Sequence, residues 1–278
     1  MGTITIGSFN CKWLSCSVNN FINRRTIISQ IIDEVGFDII ALQEIKDTYA
    51  LLSLIPNGSP WSRVIDSRHP IVKSETRDST IGHDLAFLSN KAIILDDAIG
   101  AENFQPKAPG RLVAKLMANR TYFNHPPLYA RFIRSNNLPF DIRLVNVHLK
   151  IGLDASLELE HLVGHLFDTI ASTSYGDSKV PYTIILGDYN LRLNSVNRVL
   201  SDRLSSGLIT CQGEKTTITK TEFSSDYDHF TYRSGSFIGY PSRFDTVKAK
   251  CSHAEGSRFE HHYENISDHV PIKLEMTF

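Results

Sequence analysis

The chain has 278 residues, of which 41% are hydrophobic and 21% are charged, and its formal net charge at pH 7 is −1. This apolar content is enough for a sizeable core, so stabilisation by disulfides or a structural metal is unnecessary. A net charge close to zero argues against a general electrostatic attraction to nucleic acid. No apolar stretch reaches the ~20 residues of a membrane-spanning helix, and no signal-peptide pattern precedes the first predicted strand. We therefore expect a cytoplasmic protein.

Runs rich in Ile, Val and Leu predict seven strands, over residues 3–10, 38–43, 85–89, 142–149, 183–186, 244–250 and 270–276. Two apolar stripes with helical periodicity predict helices over residues 22–35 and 157–170. A polar stretch over residues 212–236 predicts a long loop. Several strands are apolar on both faces, which is typical of strands inside a layered sheet. Because no linker or repeat interrupts this order, we expect one continuous domain over residues 1–278.

Charge is unevenly distributed along the chain. No Asp or Glu occurs over residues 103–140, although this stretch carries Lys107, Arg111, Lys115, Arg120, Arg131 and Arg134. Such an imbalance is typical either of a solvated surface or of a surface that faces an anionic ligand. Both interpretations stay open at this point.

Polar side chains adjoin five of the strand-like runs. They are Asn10, Glu44, His148, the pair Asp188 and Asn190, and the pair Asp268 and His269. A single carboxylate at a strand end is usually a turn residue or a helix cap. Five positions that combine carboxylates, amides and imidazoles instead favour an active site for the hydrolysis of a phosphoester.

The oxygen-bearing side chains of this set favour a hard divalent cation. The carboxylates of Glu44 and Asp268, together with the amide of Asn10, match Mg²⁺ or Mn²⁺, which bind few carboxylates and keep several waters. The cation would neutralise charge on the phosphoryl oxygens and position them. Asn10, Glu44 and Asp268 are therefore the predicted metal residues.

The remaining members suit proton transfer and charge stabilisation. Asp188 can accept a proton from the attacking water, while Asn190 holds that water or a ligand in place. The imidazoles of His148 and His269 can donate to a non-bridging oxygen as charge develops there. An imidazole needs a partner on its other nitrogen, and Asp245 is the predicted partner of His269.

These residues stand in five short motifs. In chain order the motifs are Gly7-Ser8-Phe9-Asn10, Leu42-Gln43-Glu44, Asn146-Val147-His148-Leu149, Gly187-Asp188-Tyr189-Asn190 and Ser267-Asp268-His269. Their content and order resemble the endonuclease/exonuclease/phosphatase superfamily over nearly the whole chain. The resemblance implies an α/β fold, a four-layered sandwich of two packed mixed β-sheets flanked by helices, as in deoxyribonuclease I. It also implies that Glu44 is the principal metal ligand.

Two features depart from the superfamily pattern. Many relatives carry an arginine before two prolines, where it touches a phosphate, whereas this chain has His125-Pro126-Pro127. Arg120 or Arg131 is expected to supply that charge instead. Relatives also pair the histidine at the position of His148 with an acidic residue, for which Asp84 is the candidate in this chain.

The superfamily contains enzymes for several phosphoesters, so three functions are compatible with the sequence. The favoured one is a metal-dependent nuclease that hydrolyses DNA or RNA with water activated by Asp188. The alternative is a phosphatase for an inositol polyphosphate or another small or lipid-linked phosphoester, which the order Gly187-Asp188-Tyr189-Asn190-Leu191-Arg192 favours. The third is a binding protein without catalysis, which the intact motifs argue against.

An aromatic cluster precedes Asp245 in the predicted loop and consists of Tyr227, His229, Phe230 and Tyr232. These rings either pack beneath the loop or stack on an unpaired base.

Overall fold

The computed structural model describes residues 2–55, 61–65, 84–90, 93–99, 123, 125–134, 140–167, 181–201, 207–211, 213–233 and 237–277. The strands in these ranges are β1 (Thr3–Leu14), β2 (Ile39–Ile45), β3 (Trp61–Ile65), β4 (Asp84–Asn90), β5 (Ile94–Ile99), β6 (Leu128–Arg134), β7 (Phe140–His148), β8 (Pro181–Asp188), β9 (Leu208–Cys211), β10 (Asp228–Arg233), β11 (Ile238–Arg243) and β12 (Ile272–Thr277). The α-helices are α1 (Phe21–Val35), α2 (Thr48–Ser53), α3 (Leu153–His161), α4 (Leu193–Val199), α5 (Thr246–Lys250) and α6 (Arg258–Asn265). A π-helical turn, Leu162–Phe167, continues α3. None of the described helices is long and apolar enough to cross a membrane.

The strands form two mixed six-stranded sheets within the described ranges. The first sheet has the order β11-β12-β1-β2-β4-β3, and the second has the order β5-β6-β7-β8-β10-β9. Each sheet contains one parallel pair, β1 with β2 and β7 with β8, while the other neighbours are antiparallel. Because parallel strands end at the same edge, each pair brings two carboxyl-terminal ends together.

The alternation of side chains along each strand builds the layers. In β1, Ile4 and Ile6 face the second sheet and pack in one core with Ile142 and Leu144 of β7. On the opposite face of the first sheet, residues of β1, β2 and β4 pack against α1 and α2. The outer face of the second sheet packs against α3, the π-helical turn and α4. The predicted four-layered α/β sandwich is confirmed.

Six of the seven predicted strands correspond to β1, β2, β4, β7, β8 and β12, and the predicted helix over residues 22–35 is α1. The second predicted helix corresponds to α3 and its π-helical turn, and residues 168–170 lie outside the described residues. That these elements form a single domain over residues 1–278 stays a prediction.

Two predicted elements are wrong. The predicted strand over residues 244–250 is helical from Thr246 to its end, because the carboxylate of Asp245 accepts a hydrogen bond from the Lys248 backbone N–H and caps α5. The predicted loop over residues 212–236 contains β10, which joins the second sheet between β8 and the edge strand β9. The polar residues around β10 conceal its period-two alternation in the sequence.

A buried polar layer crosses from one sheet to the other where the apolar core ends. Gln43 Nε2 donates to Ser8 Oγ at 3.0 Å and to Asn146 Oδ1 at 2.7 Å. Asn146 Nδ2 in turn donates to the backbone oxygens of Leu42 and Ala86, at 3.0 and 2.9 Å. Because Gln43 and Asn146 lie on opposite sheets, these bonds fix the relative position of the two sheets directly beneath the polar residues of the motifs.

We predict that Asn146→Ala destabilises the protein by about 2–4 kcal/mol, because it leaves two buried backbone oxygens without their donor and removes a partner of Gln43. The measurement is the free energy of unfolding in urea. Asn194→Ala, on the exposed surface of α4, is the matched control and is expected to change that free energy by less than about 0.5 kcal/mol. Equal stabilities of the two variants would contradict the role of this layer.

Candidate active site

The candidate site lies where the core between the sheets changes from apolar to polar. On β7, the inward positions occupied by Ile142 and Leu144 continue to His148, and on β8 those of Ile184 and Leu186 continue to Asp188. His148 and Asp188 are direct partners in the parallel pairing of β7 with β8. The same alternation that builds the core therefore brings these side chains together at one edge.

A glycine permits this close approach of the strands. Gly187 has a φ of 142°, and a Cβ atom at this position would lie 2.0 Å from the Val147 backbone oxygen. Any larger residue would separate β8 from β7 just before Asp188. The close packing of β8 on β7 thus explains why the Gly-Asp-x-Asn motif has a glycine at this position in this chain.

Asp188 is the shared hydrogen-bond acceptor of the site. Its Oδ2 accepts from Asn10 Nδ2 at 3.1 Å, and its Oδ1 accepts from the Asn190 backbone N–H at 2.9 Å. Oδ2 also lies 3.7 Å from His148 Nε2 and 3.6 Å from His269 Nε2. The side chain of Asp188 is only 2% exposed, so these groups replace the water that would otherwise solvate the carboxylate.

His269 has a second carboxylate on its other nitrogen. Its Nδ1 lies 2.8 Å from Asp228 Oδ2, within the buried site. Burial alone would lower the pKa of His269, but the carboxylates of Asp228 and Asp188 outweigh it and raise that pKa to about 10. His269 is therefore an imidazolium at neutral pH and donates its Nδ1–H to Asp228.

The pKa values of Asp188 and His148 are shifted in opposite directions. Burial raises the pKa of Asp188 to about 6, against the opposing effect of the His269 charge. Burial also lowers the pKa of His148, and the nearby Glu44 carboxylate opposes this. At neutral pH the site consequently combines an ionised carboxylate, a neutral imidazole and a charged imidazole, which is the separation of states that acid–base chemistry requires.

Glu44 is held in position by backbone and side-chain donors from β1. Its Oε1 accepts from Asn10 Nδ2 at 3.0 Å, and its Oε2 accepts from the Trp13 backbone N–H at 3.1 Å. His148 Nε2 lies 3.8 Å from Oε1. Asn10 thus donates to Glu44 and Asp188 together, while its own Oδ1 accepts from the Lys12 backbone N–H at 2.9 Å.

The backbone at the site adopts uncommon conformations. Within the described ranges the non-glycine residues with positive φ are Lys12 at 42°, Trp13 at 54°, Glu44 at 59° and Asn190 at 50°. The register of β1 with β2 also shifts between Asn10 and Leu14. Such conformations cost free energy and persist where the surroundings impose them, and they are common at functional sites.

Glu44 and Asp268 face one cleft of about 410 Å³, which Lys12, Trp13, Val18, Arg24 and Glu264 also line. No group of three or more His, Cys, Asp or Glu side chains is arranged around one point in the part of the chain that the structure describes. Two carboxylates on an open cleft do fit Mg²⁺ or Mn²⁺, which keep several waters. That Asn10, Glu44 and Asp268 hold the metal stays a prediction.

Asp268 is positioned by the residue before it. Ser267 Oγ donates to the Asn10 backbone oxygen at 2.7 Å and accepts from the His269 backbone N–H at 3.1 Å. One serine therefore ties the segment that carries Asp268 and His269 to the end of β1. This contact gives the Ser-Asp-His motif a structural reason beyond its two chemical residues.

The prediction that Asp245 is the partner of His269 is wrong. Asp245 accepts from the Lys248 backbone N–H as the N-cap of α5, whereas Asp228 contacts His269. Asp228 was missed because its segment reads as a polar loop. The signal that could have found it is the alternation of Asp228, Phe230 and Tyr232, which gives all three the same face of a strand.

The prediction that Arg131 binds a phosphate is also wrong. The guanidinium of Arg131 is buried between the carboxylates of Asp141 and Asp96, which neutralise its charge. In the register of β6 with β7, Arg131 lies opposite Arg143. Arg143 precedes His148 by five residues along β7, so Arg131 lies roughly 16 Å from the site. Arg120 lies outside the described residues, so its predicted substrate contact stays untested. Nothing is described of the Asp84 side chain either.

His125, which occupies the position of the superfamily arginine, lies at the site. Its ring stacks on that of His148, with 5.3 Å between the ring centroids and 8° between the planes. An aromatic ring in this position covers one face of the neutral imidazole. Where many relatives have an arginine that contacts a phosphate, this chain therefore has a histidine ring that stacks on His148.

Three of the four residues of the predicted aromatic cluster do not offer a stacking surface, and Tyr227 is half-buried. The side chains of His229, Phe230 and Tyr232 are buried, and Phe230 and Tyr232 belong to the core between the sheets. His229 Nε2 contacts the Leu191 backbone oxygen at 2.8 Å. Packing, the first of the two interpretations, is the observed role of these three residues.

Residues 7–269 match the sequence model of the endonuclease/exonuclease/phosphatase family. The chain belongs to this family. Members of the endonuclease/exonuclease/phosphatase family are hydrolases that act on phosphoester bonds. A comparison with curated protein sequences finds no match.

Solved structures of this family share the fold. A D. rerio TDP2 complexed with single strand DNA product has a TM-score of 0.64 at 16% sequence identity, and the alignment covers 100% of both chains. An endonuclease/exonuclease/phosphatase family protein from Bacteroides thetaiotaomicron has a TM-score of 0.62 at 17% identity, with 100% of this chain and 98% of that chain covered. A mannosyl-6-phosphatase from the same organism has a TM-score of 0.61 at 16% identity, with 99% and 100% covered. At these identities the similarity concerns the fold and leaves the substrate undetermined.

We predict that Asp228→Asn lowers the pKa of His269, because it removes the nearest of the charges that raise this pKa to about 10. The folded-state pKa of His269 exceeds its unfolded value of about 6.5. The stability it contributes is therefore complete below about pH 6.5 and lost as the pH rises through about 10. NMR titration of the imidazole nitrogens in both proteins measures the change.

Asp245→Asn is the matched control, because asparagine also caps helices and the residue does not contact His269. We expect phosphodiester hydrolysis to fall roughly 10²-fold in Asp228→Asn and to stay at the wild-type rate in Asp245→Asn. The reverse order of the two rates would contradict the assignment of Asp228.

Proposed function

We propose that the chain is a divalent-metal-dependent phosphodiesterase, and specifically a nuclease that hydrolyses the backbone of DNA or RNA. The observation that carries the hydrolytic part is the buried Asp188 carboxylate, which accepts from Asn10 and lies beside both His148 and His269. A carboxylate with a pKa of about 6 is ionised at neutral pH and still basic enough to accept a proton in the transition state.

In this proposal Asp188 is the general base. A water whose proton Asp188 accepts forms a bond to phosphorus while the bond from phosphorus to the ester oxygen breaks. Asn190 orients this water through its Oδ1, because its Nδ2 donates to the Leu149 backbone oxygen at 2.7 Å and so holds the amide beside Asp188. The ester oxygen leaves with the electron pair of the broken bond and takes a proton from solvent, so hydrolysis of a diester yields one phosphomonoester and one alcohol.

The imidazoles stabilise the charge that develops on the phosphoryl oxygens. His269 presents a positive charge, which Asp228 maintains and orients from within the core. His148 is neutral and donates a hydrogen bond instead, with Asp188 and Glu44 near its Nε2. Donors that are fixed before the reaction stabilise a transition state without the cost of reorganisation.

The metal residues in this proposal are Glu44, Asp268 and Asn10. When bound, Mg²⁺ or Mn²⁺ supplies charge neutralisation and positioning of the phosphoryl oxygens. Glu44 is fixed by two hydrogen bonds from β1, so its carboxylate meets the cation with little loss of side-chain freedom. Asp268 is about one-third exposed on the same cleft and completes the pair of carboxylates.

Two observations favour a nucleic acid as the substrate. Lys12 and Trp13 line the cleft beside Glu44, which combines a cation with an exposed aromatic ring near the reacting phosphate. In addition, a similarly folded D. rerio TDP2 was solved with a single strand DNA product. A cation for the backbone and a ring for a base are the two elements of single-strand binding.

The second candidate is a phosphatase for a small phosphoester. Arg192 follows the Gly-Asp-x-Asn motif and is exposed at the start of α4, where it can contact a further phosphate group. The similarly folded Bacteroides mannosyl-6-phosphatase acts, by its name, on a phosphomonoester. This candidate uses the same base, imidazoles and metal residues, so only the substrate separates it from the first.

The test is a substrate panel with Mg²⁺, Mn²⁺ and EDTA. The panel contains single-stranded DNA, plasmid DNA, RNA and inositol polyphosphates. We expect cleavage of at least one nucleic acid with Mg²⁺ or Mn²⁺ and none with EDTA. Phosphate release from the inositol compounds with all nucleic acids intact would replace the nuclease by the phosphatase, and no hydrolysis of any substrate would contradict both.

Glu44→Gln separates metal binding from catalysis. Calorimetric titration with Mn²⁺ is expected to show binding to the wild type and a loss of about 10-fold or more in affinity in this variant, because a charged ligand becomes neutral. Glu264→Gln is the matched control, since Glu264 lines the same cleft but is not among the predicted ligands. Equal affinities of Glu44→Gln and the wild type would contradict the metal assignment.

A further inference from the structure

Trp13 is a large aromatic residue that remains exposed at the mouth of the cleft. Its side chain is 47% exposed, although the chain buries its other tryptophan, Trp61, almost completely. Trp13 lines the same cleft as the carboxylates of Glu44 and Asp268. An exposed tryptophan at this position costs hydration free energy, and a ligand ring that covers it would recover this energy.

The backbone holds Trp13 in this position from several sides. Its φ of 54° is uncommon for a residue with a large side chain, and its N–H donates to Glu44 Oε2 at 3.1 Å. Arg24, which is buried, donates from Nη2 to the backbone oxygens of Cys11 and Lys12, at 2.8 and 2.7 Å. The backbone of Trp13 is therefore tied directly to Glu44, the predicted metal residue, by one hydrogen bond.

Two lysines contribute positive charge, one at the Trp13 ring and one in the cleft that Trp13 lines. Lys46 Nζ lies 4.5 Å from the centroid of the Trp13 ring, in a cation–π contact. Lys12 Nζ donates to the Tyr263 backbone oxygen at 2.9 Å, lies 3.3 Å from the centroid of the Tyr263 ring and lies 3.9 Å from Asp268 Oδ2 in the cleft. Trp13 thus has one cation at its ring and a second cation in the cleft that it lines, which suits a ligand with both an aromatic ring and a negative charge.

We propose that Trp13, with Lys12 and Lys46, forms a binding site for one unpaired nucleobase and its phosphate beside the reacting phosphodiester. The site determines specificity: it selects single-stranded substrates, because a paired base cannot offer its face to the ring. This inference rests on the proposed nuclease function and names the residues that would recognise the substrate. Because a tryptophan ring can stack on any base, the site distinguishes single-stranded from double-stranded substrates and does not select a base sequence.

Two further variants serve as controls for Trp13→Ala. Among the exposed aromatic side chains, Tyr240 lies on β11, an edge strand of the first sheet, and does not line the cleft. Tyr240→Ala therefore removes a similar exposed ring from a different surface. Trp13→Tyr keeps an aromatic ring at the cleft and is the conservative counterpart of Trp13→Ala.

The experiment compares two fluorescent oligonucleotides of equal length, an oligothymidylate and an abasic strand with the same phosphates. Binding is measured by fluorescence anisotropy with Mg²⁺, in an Asp188→Asn background that prevents cleavage. We expect Trp13→Ala to weaken binding of oligothymidylate about 5- to 150-fold and to leave binding of the abasic strand unchanged. Trp13→Tyr should retain most of the preference for bases, and Tyr240→Ala should retain all of it.

Two results would overturn the inference while the nuclease function stands. In the first, Trp13→Ala binds both strands as tightly as the parent protein does. In the second, it loses affinity equally for both strands, which would indicate that Trp13 shapes the cleft without contacting bases. If the parent protein does not bind oligothymidylate, the inference fails, whereas the proposed function fails only if the protein with Asp188 restored cleaves none of the nucleic acids in the substrate panel.

Discussion

The structure of the site depends on one buried carboxylate. Asp188 is only 2% exposed, and an ionised carboxylate in such a place is stable only if other groups compensate for the lost water. The compensation comes from Asn10 on the first sheet, from the Asn190 backbone and from the imidazolium of His269. The two sheets must therefore meet at this edge for Asp188 to be ionised, and the folded core and the acid–base chemistry have a common requirement.

The transition from core to site follows from the period of two along a strand. Inward positions that carry isoleucine and leucine at the centre of β7 and β8 carry His148 and Asp188 at their ends. The layer of Gln43 and Asn146 lies between these two environments and pairs its own polar groups across the sheets. It thereby separates the apolar core from the charged groups while it holds both sheets in register.

Most of the fold and of the site could be predicted from the sequence, because the informative signals are local. The strands are apolar runs, and Asn10, Glu44, His148, Asp188 and His269 stand in short motifs whose order resembles a family. The partner of His269 could not be predicted in this way. Asp228 reaches His269 because β10 pairs with β8, which lies forty residues earlier in the chain. This pairing is a long-range contact that the local sequence does not indicate. Asp245 is nearer in sequence but caps a helix. The prediction that Arg131 binds a phosphate was wrong for a similar reason, because the two carboxylates that pair with Arg131 lie on other strands.

The central claim is that Asp188 accepts the proton of the attacking water, and the pH dependence of Asp188→Asn tests it most directly. In the wild type we expect kcat/KM for a phosphodiester to rise as the pH passes about 6 and to fall as it passes about 10, because Asp188 must be ionised and His269 protonated. Asp188→Asn should fold normally, lose roughly 10²–10⁴-fold in rate at neutral pH and lose the rise near pH 6. A variant that keeps the wild-type rate and the wild-type rise near pH 6 would contradict the account.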